Sequence, residues 1–277
     1  MEWLTDYKLP VGEYSQAVVK WLQANAKGVF DGINWLMDGV IEALLWVMIT
    51  IPAPVMIAIL VGLTWYLQRK WQPVLIVLIG SLFVLNQGYW EATMESMTLI
   101  LLSCATCMAI GVPIGIKAAH SPRFFSFIRP ILDLMQTLPS FVYLIPAIIF
   151  FGLGMVPGLI STVIFVLPAP IRATQLGIST TPVALIEAAT AFGSTPRQTL
   201  WKVELPWALP QIMAGLTQSI MLSLSMVVIA AMVGANGLGV PVLRALGSSN
   251  PKLGFESGFV IVVVAVMLDR MLKLERR

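Results

Sequence analysis

The stretch IEAATAFGSTPRQTLWKVELP, residues 186–206, lies between long apolar runs yet carries Glu187, Arg197, Lys202 and Glu204. Its punctuation is that of two helices meeting at a tight turn. Thr181-Pro182, just upstream, offers an N-cap followed by proline at the first helical position, where the missing N–H leaves nothing unsatisfied. Leu185, Ala188, Ala189 and Phe192 then stand at i, i+3, i+4 and i+7 and form one apolar stripe. Gly193 suits the left-handed position that ends a helix. Thr195-Pro196-Arg197-Gln198 has the form of a capping box with proline at N1, so a second short helix starts at once and runs into Leu205-Pro206. The pattern predicts a compact elbow, with Ala188 and Ala189 small enough to let another backbone approach. Local spacing alone slightly favours an ordinary loop helix packed on its own domain.

The surroundings of the elbow set the solvent. Of 277 residues, 58% are hydrophobic and 11% charged, and the mean hydropathy is +0.86, whereas soluble domains carry roughly 25% charged residues. Apolar runs approach the roughly 20 residues needed to cross a bilayer. Seven candidate spans fall at 51–67, 71–86, 94–119, 137–155, 157–177, 211–235 and 254–272. They lack strand alternation and read as helices, which satisfy their own backbone in lipid. The expected fold is therefore an all-α polytopic membrane protein.

Charge gives direction. With the N-terminus outside, twelve of the 17 Lys and Arg fall inside: Arg69, Lys70, Lys117, Arg123, Arg129, Arg172, Arg197, Lys202, Arg270, Lys273, Arg276 and Arg277. Lys8, Lys20, Lys27, Arg244 and Lys252 fall outside. This excess of cytoplasmic cations favours N-out and C-in and places the 178–210 loop in the cytoplasm. Ahead of the first span, Lys20, Lys27, Asp31, Asp38 and Glu42 repeat at alternating seven- and four-residue spacings, a narrow polar stripe opposite Val18, Leu22, Val29, Ile33, Leu36 and Val40. We read residues 1–50 as an extracytoplasmic tail with an amphipathic helix along the outer membrane surface, broken at Gly28 or Gly32, and 51–277 as the membrane domain. The alternative is a transmembrane helix over 33–49, with Asp38 and Glu42 costly near its middle.

Several chemistries are disfavoured. Cys104 and Cys107 form a CxxC inside an apolar run, without the solvent access that activates a thiolate, and read as packing. His120 is the single histidine, which argues against a His/Cys metal cage. No GxxxxGK[ST] phosphate loop occurs, and no basic n-region followed by a short apolar core opens the chain.

The spaced pattern Glu187-Ala188-Ala189, three residues, Gly193, nine residues, Val203, one residue, Leu205-Pro206 resembles the EAA signature of permease subunits of ATP-binding-cassette importers, with Val203 where Ile is usual. Three further stretches, IPAPVMIAIL at 51–60, SPRFFSFIRPILDLMQTLPSFVYLIPAIIFFGLGMVPG at 121–158 and LSMVVIAAMVGANGLG at 224–239, look like permeases of the glycine betaine/proline betaine importers, and the same mechanism with choline, carnitine or another small solute is the sibling reading. The resemblance covers roughly 51–270. It implies a type I importer permease of the bacterial inner membrane, a homodimer working with two copies of a separate ATPase and an extracytoplasmic solute-binding protein. ATP and Mg would then be bound by the ATPase, this chain holding no cofactor, metal or catalytic residue and binding no nucleic acid. Glu187, Ala188, Ala189, Gly193, Val203, Leu205 and Pro206 would form the coupling elbow that engages the ATPase.

Solute contacts are less specified. A quaternary ammonium ion offers no N–H and is usually met by aromatic faces, so Phe141, Tyr143 and Trp90 are candidates, although aromatic residues in spans often only pack or anchor. Gln218, Met221 and Ser225, at i, i+3 and i+7 of the sixth span, either line a path or hydrogen-bond between helices. Gln136, Thr137 and Pro139 are expected to interrupt the fourth span and turn backbone groups toward a cavity. Asp133 is expected to pair with Arg129. Two other classes compete: a gradient-driven transporter or channel, weakened by the scarcity of mid-span carboxylates, and a membrane-embedded enzyme, weakened by the lone histidine and the lack of a polar cluster.

Overall fold

The structure, a computed structural model, describes residues 10–272; Lys8, Lys273, Arg276 and Arg277, counted in the charge balance, lie outside them. Among the described residues there is no strand. The helices run α1 (Val11–Asn25), α2 (Lys27–Thr50), α3 (Ala53–Gln68), α4 (Trp71–Asn86), α5 (Trp90–His120), α6 (Pro122–Thr137), α7 (Leu144–Phe151), α8 (Met155–Val166), α9 (Pro168–Ser179), α10 (Val183–Ala191), α11 (Pro196–Thr199), α12 (Leu205–Ala231), α13 (Gly239–Gly247) and α14 (Pro251–Leu272). A 3₁₀ turn, Ser140–Tyr143, precedes α7, and a π turn, Leu200–Glu204, joins α11 to α12.

Among the described residues, five segments are long and apolar enough to cross a membrane: Lys27–Thr50, Trp90–His120, Met155–Ser179, Pro196–Ala231 and Pro251–Leu272. The pair Pro122–Thr137 and Ser140–Phe151 makes a sixth only if its 103° bend lies within one span. The seven-span expectation is corrected accordingly. The span read at 137–155 is not one helix: α6 ends at Thr137, and α7 stops at Gly152, whose φ of +79° breaks the run. Ala53–Gln68 and Trp71–Asn86 are apolar but short, 16 residues each, about 24 Å at 1.5 Å per residue.

The centre is built from α5, α9 and α12, which pack on one another, with α8 continuing the contact to both α5 and α12. Small residues allow this. A Cβ on Gly115 of α5 would lie 2.6 Å from Thr174 Cβ, and one on Gly215 of α12 would lie 2.6 Å from Ala173 Cβ. In lipid, where no hydrophobic drive joins helices, such close approach supplies the dispersion contact that holds them. Polar side chains add specific links. The Ser103 and Ser223 hydroxyls meet 3.0 Å apart between α5 and α12, and Ser96 Oγ accepts the Leu238 amide at 2.8 Å. Cys104 and Cys107 are buried and unpaired in the same layer. A second layer of α3, α4 and α14 closes over it, with Val77, Val84, Val260 and Val264 almost fully buried.

The N-terminal helices dock on this bundle. The chain bends at Ala26, not at Gly28 or Gly32, through which α2 runs unbroken; both glycines face open space, so no contact demanded a break there. Phe30 stacks on Phe150 at 4.3 Å and meets Phe151 edge-on at 5.7 Å, Gln23 donates to the Ile149 carbonyl, and Ile41 packs with Val156 and Leu159. Beyond these partners near the α7–α8 turn, α2 packs along α5, with Leu102 joining the cluster around Ile41 and Met48 reaching the core. Asp31, Asp38 and Glu42 stay exposed.

Candidate functional site

The elbow stands out from the bundle. Its first helix, α10, buries no residue; Val183 is 66% exposed and Phe192 93%. Helices earn stability by burying an apolar face, so this one is locked by its ends instead. Pro182 occupies the N-cap position and Thr181 makes no capping bond, its hydroxyl being buried without a partner, which corrects the expected Thr181 cap. The C-terminal end of α10 is closed by its turn. Gly193 has φ +78°, its amide donates to Thr190 O at 2.9 Å, and the Ser194 amide donates to Ala189 O at 3.1 Å. That pair of bonds is the Schellman arrangement, which needs the left-handed residue.

The turn then passes directly into the next helix. The Thr195 amide donates to Gln198 Oε1 at 2.8 Å, and the Gln198 amide donates to Thr195 Oγ1 at 3.4 Å, completing the capping box. The second helix is not short: α11, the π turn and α12 form one run, Pro196–Ala231. Val203 is half-buried, Glu204 buried, and Leu205 and Pro206 carry the run into the bundle, where Ala208 is inaccessible. Glu187 and Ala188 are exposed and Ala189 half-buried. The elbow is thus a projection with both helix ends at its turn hydrogen-bonded, joined end-on to a core helix.

One contact was invisible in the sequence. Glu204 Oε2 lies 2.9 Å from His120 Nε2, tying the base of the elbow to the end of α5. The residues are 84 apart, and only the packing of α5 beside the π turn joins them. The lone acid beside Leu205-Pro206 and the lone histidine were the available signals.

The other candidates separate. Gln218 and Ser225 are exposed on α12, Met221 is half-buried, and Phe141 is 52% exposed. Thr137 and Pro139 are exposed and Gln136 half-buried at the sharp bend. Tyr143 is buried, its hydroxyl donating to Met135 O at 2.8 Å across that bend. Trp90 packs on the core beside Met94, Met97, Met267 and Met271. Asp133 accepts from Arg172 of α9, not from Arg129: the same-helix pair on α6 offers little in solvent, while α9 brings a guanidinium onto the carboxylate. Among the described residues no cluster of His, Cys, Asp and Glu is arranged to hold a metal ion.

Comparison with known proteins agrees with this architecture. Residues 111–272 match the family described as binding-protein-dependent transport system inner membrane component. The glycine betaine/carnitine transport permease protein GbuB of Listeria monocytogenes is 46% identical over 248 residues, 88% of each chain. The glycine betaine transport system permease protein OpuAB of Bacillus subtilis is 44% identical over 264 residues, 95% of this chain and 93% of that one. The glycine betaine/proline betaine transport system permease protein ProW of Escherichia coli is 41% identical, covering 95% of this chain and 74% of its own. Among solved structures, the inward-facing MetNI methionine ABC transporter superposes with a TM-score of 0.59 at 21% identity, covering 68% of this chain and 94% of that one, which speaks to the fold alone. The helices that cross the membrane, the elbow and these similarities lead to one conclusion: the chain belongs to the family of binding-protein-dependent transport system inner membrane components and is a multi-pass transport permease.

Proposed function

We propose that the chain is the permease subunit of an ATP-driven importer for glycine betaine, proline betaine or a related quaternary ammonium solute. Similarity to three betaine permeases over 88–95% of the chain carries the reading. The exposed, end-locked elbow supports its mechanical half: Val183, Leu185 and Phe192 present apolar surface to a partner while Glu187, Ala188, Ala189, Gly193, Val203, Leu205 and Pro206 set its shape. Two copies of the chain pair with two ATPases, which bind ATP and Mg, and receive solute from an extracytoplasmic binding protein. The elbow and the C-terminus face the cytoplasm and the N-terminus faces outward, with α2 packed on the bundle through Phe30, Ile41 and its contact along α5. Gln218, Ser225 and Phe141 line the path between copies, with Gln136, Thr137 and Pro139 at its inner bend. Motion passes as rigid-body displacement of packed helices.

The test is reconstitution in liposomes. ATP-dependent uptake of labelled glycine betaine is expected with ATPase and binding protein present, and none with the chain alone. Uptake by the chain alone, driven by an ion gradient, overturns the reading. A carnitine-selective system is the second reading, favoured by the name of the Listeria relative; tight, selective binding of carnitine by the cognate binding protein distinguishes it.

A further inference from the structure

His120 closes α5 with both ring nitrogens engaged. Nδ1 lies 2.9 Å from the carbonyl oxygen of Ile116, one turn back, and Nε2 lies 2.9 Å from Glu204 Oε2. A carbonyl oxygen only accepts, and so does an ionised carboxylate; a neutral imidazole carries a single N–H. A neutral ring facing an ionised Glu204 therefore satisfies one of the two contacts and sets lone pairs against each other at the second. Both become hydrogen bonds when the pair holds one additional proton between Nε2 and the carboxylate.

The location gives that proton leverage. Glu204 is the last residue of the π turn, immediately before Leu205-Pro206, and its side chain is 10% exposed. π turns concentrate at functional positions. His120 is the hydrogen-bond partner Glu204 has there, and its own side chain is 47% exposed, open to proton exchange with water. The charged groups on the elements packed around the pair are Glu91, Glu95 and Lys117 on α5, Arg123, Arg129 and Asp133 on α6, Arg172 on α9, Arg197 and Lys202 beside the π turn and, on the elbow, Glu187. Lys117 rests over the Phe124 ring at 4.7 Å, and Arg172 is held by Asp133. Of these side-chain types histidine is the one that changes charge near neutrality.

We infer that His120 and Glu204 form a one-proton latch tying the elbow to α5, so that coupling between elbow and membrane helices depends on the shared proton. With the proton bound both contacts are hydrogen bonds; without it one of them is lost. On opening, the proton leaves to water, Nδ1–H keeps its bond to Ile116, and the bond to Glu204 is lost. The transport part of this inference rests on the importer reading above; the proton does not.

Two measurements test it separately. The full chain, labelled with ¹⁵N-histidine, carrying no histidine tag and held in lipid nanodiscs, gives one set of ring signals because it contains one histidine. Expected at pH 6.5 is a ring protonated at Nδ1 with the second proton on Nε2 or shared with the carboxyl, changing in Glu204→Gln to a neutral Nδ1–H ring that accepts from the amide. A neutral Nε2–H ring in the wild-type chain overturns the latch. In the assembled transporter, uptake at pH 8 relative to each variant's own rate at pH 6 is expected to be about threefold lower in wild type than in Glu204→Gln, whose amide can donate to or accept from Nε2, or in His120→Lys, each of which keeps the contact at both pH values. Identical ratios in all three overturn the coupling role even if the ring carries both protons. Failure of the wild-type assembly to take up betaine counts against the importer reading and leaves the ring spectrum to decide the latch.

Discussion

The hydroxyl of Tyr143 donates to the carbonyl of Met135 at 2.8 Å, bridging the 103° bend between α6 and the 3₁₀ turn that leads to α7. A helix end leaves carbonyls without intrahelical partners, and one buried without a donor costs about 1–3 kcal/mol. The phenol therefore holds the bend as a defined corner.

Tyr143→Phe keeps the ring and removes that donor. The expected result is a loss of about 1 kcal/mol or more in stability, read as a lower midpoint of thermal unfolding in detergent. An unchanged midpoint, together with unchanged uptake, would show that the corner is held by packing instead.

Gly193→Val tests the elbow's turn. Nothing lies within 4 Å of a Cβ built there, so the penalty comes from φ +78° alone, roughly 1–2 kcal/mol for an L residue and more when β-branched. ATP hydrolysis in the assembled complex is expected to continue while solute moved per ATP falls. Gly193→Asn, which tolerates the left-handed region, is expected to retain coupling, and equal behaviour of the two variants would refute the backbone argument.

Phe192→Asp addresses the exposed face. At 93% exposure its ring contributes little to the chain's own stability, so unfolding of the free permease should be unaffected. Affinity for the ATPase, followed by co-purification across a concentration series, is expected to fall about tenfold, as for an aromatic anchor at an interface.

Gly115→Val probes the α5–α9 contact. Its first added atom would sit 2.6 Å from Thr174 Cβ and 2.8 Å from Ile171 O, and such overpacking costs about 1–3 kcal/mol. Gly62→Ala, on α3 with nothing within 4 Å, serves as the control and is expected to be neutral or slightly stabilising.

The sequence determined a helical membrane protein and the local grammar of the elbow, because both follow from short-range rules. Apolar run length decides which segments accept lipid, and the residue types at 193, 195 and 198 decide where one helix stops and the next begins. Its failures were equally local in origin. Gln136, Thr137 and Pro139 marked an interruption at the start of the 137–155 span, but hydropathy could not show that the chain turns there by 103° or that the run stops again at Gly152, and glycine content suggested a break at 28 or 32 where α2 runs unbroken. Tertiary structure alone decided that Asp133 meets Arg172, that Tyr143 braces a corner, and that His120 reaches Glu204 across 84 residues. Such pairings depend on which helix faces which, and that is set by the summed packing of small residues along α5, α9 and α12, a quantity distributed over the whole bundle and written in no single stretch of the chain.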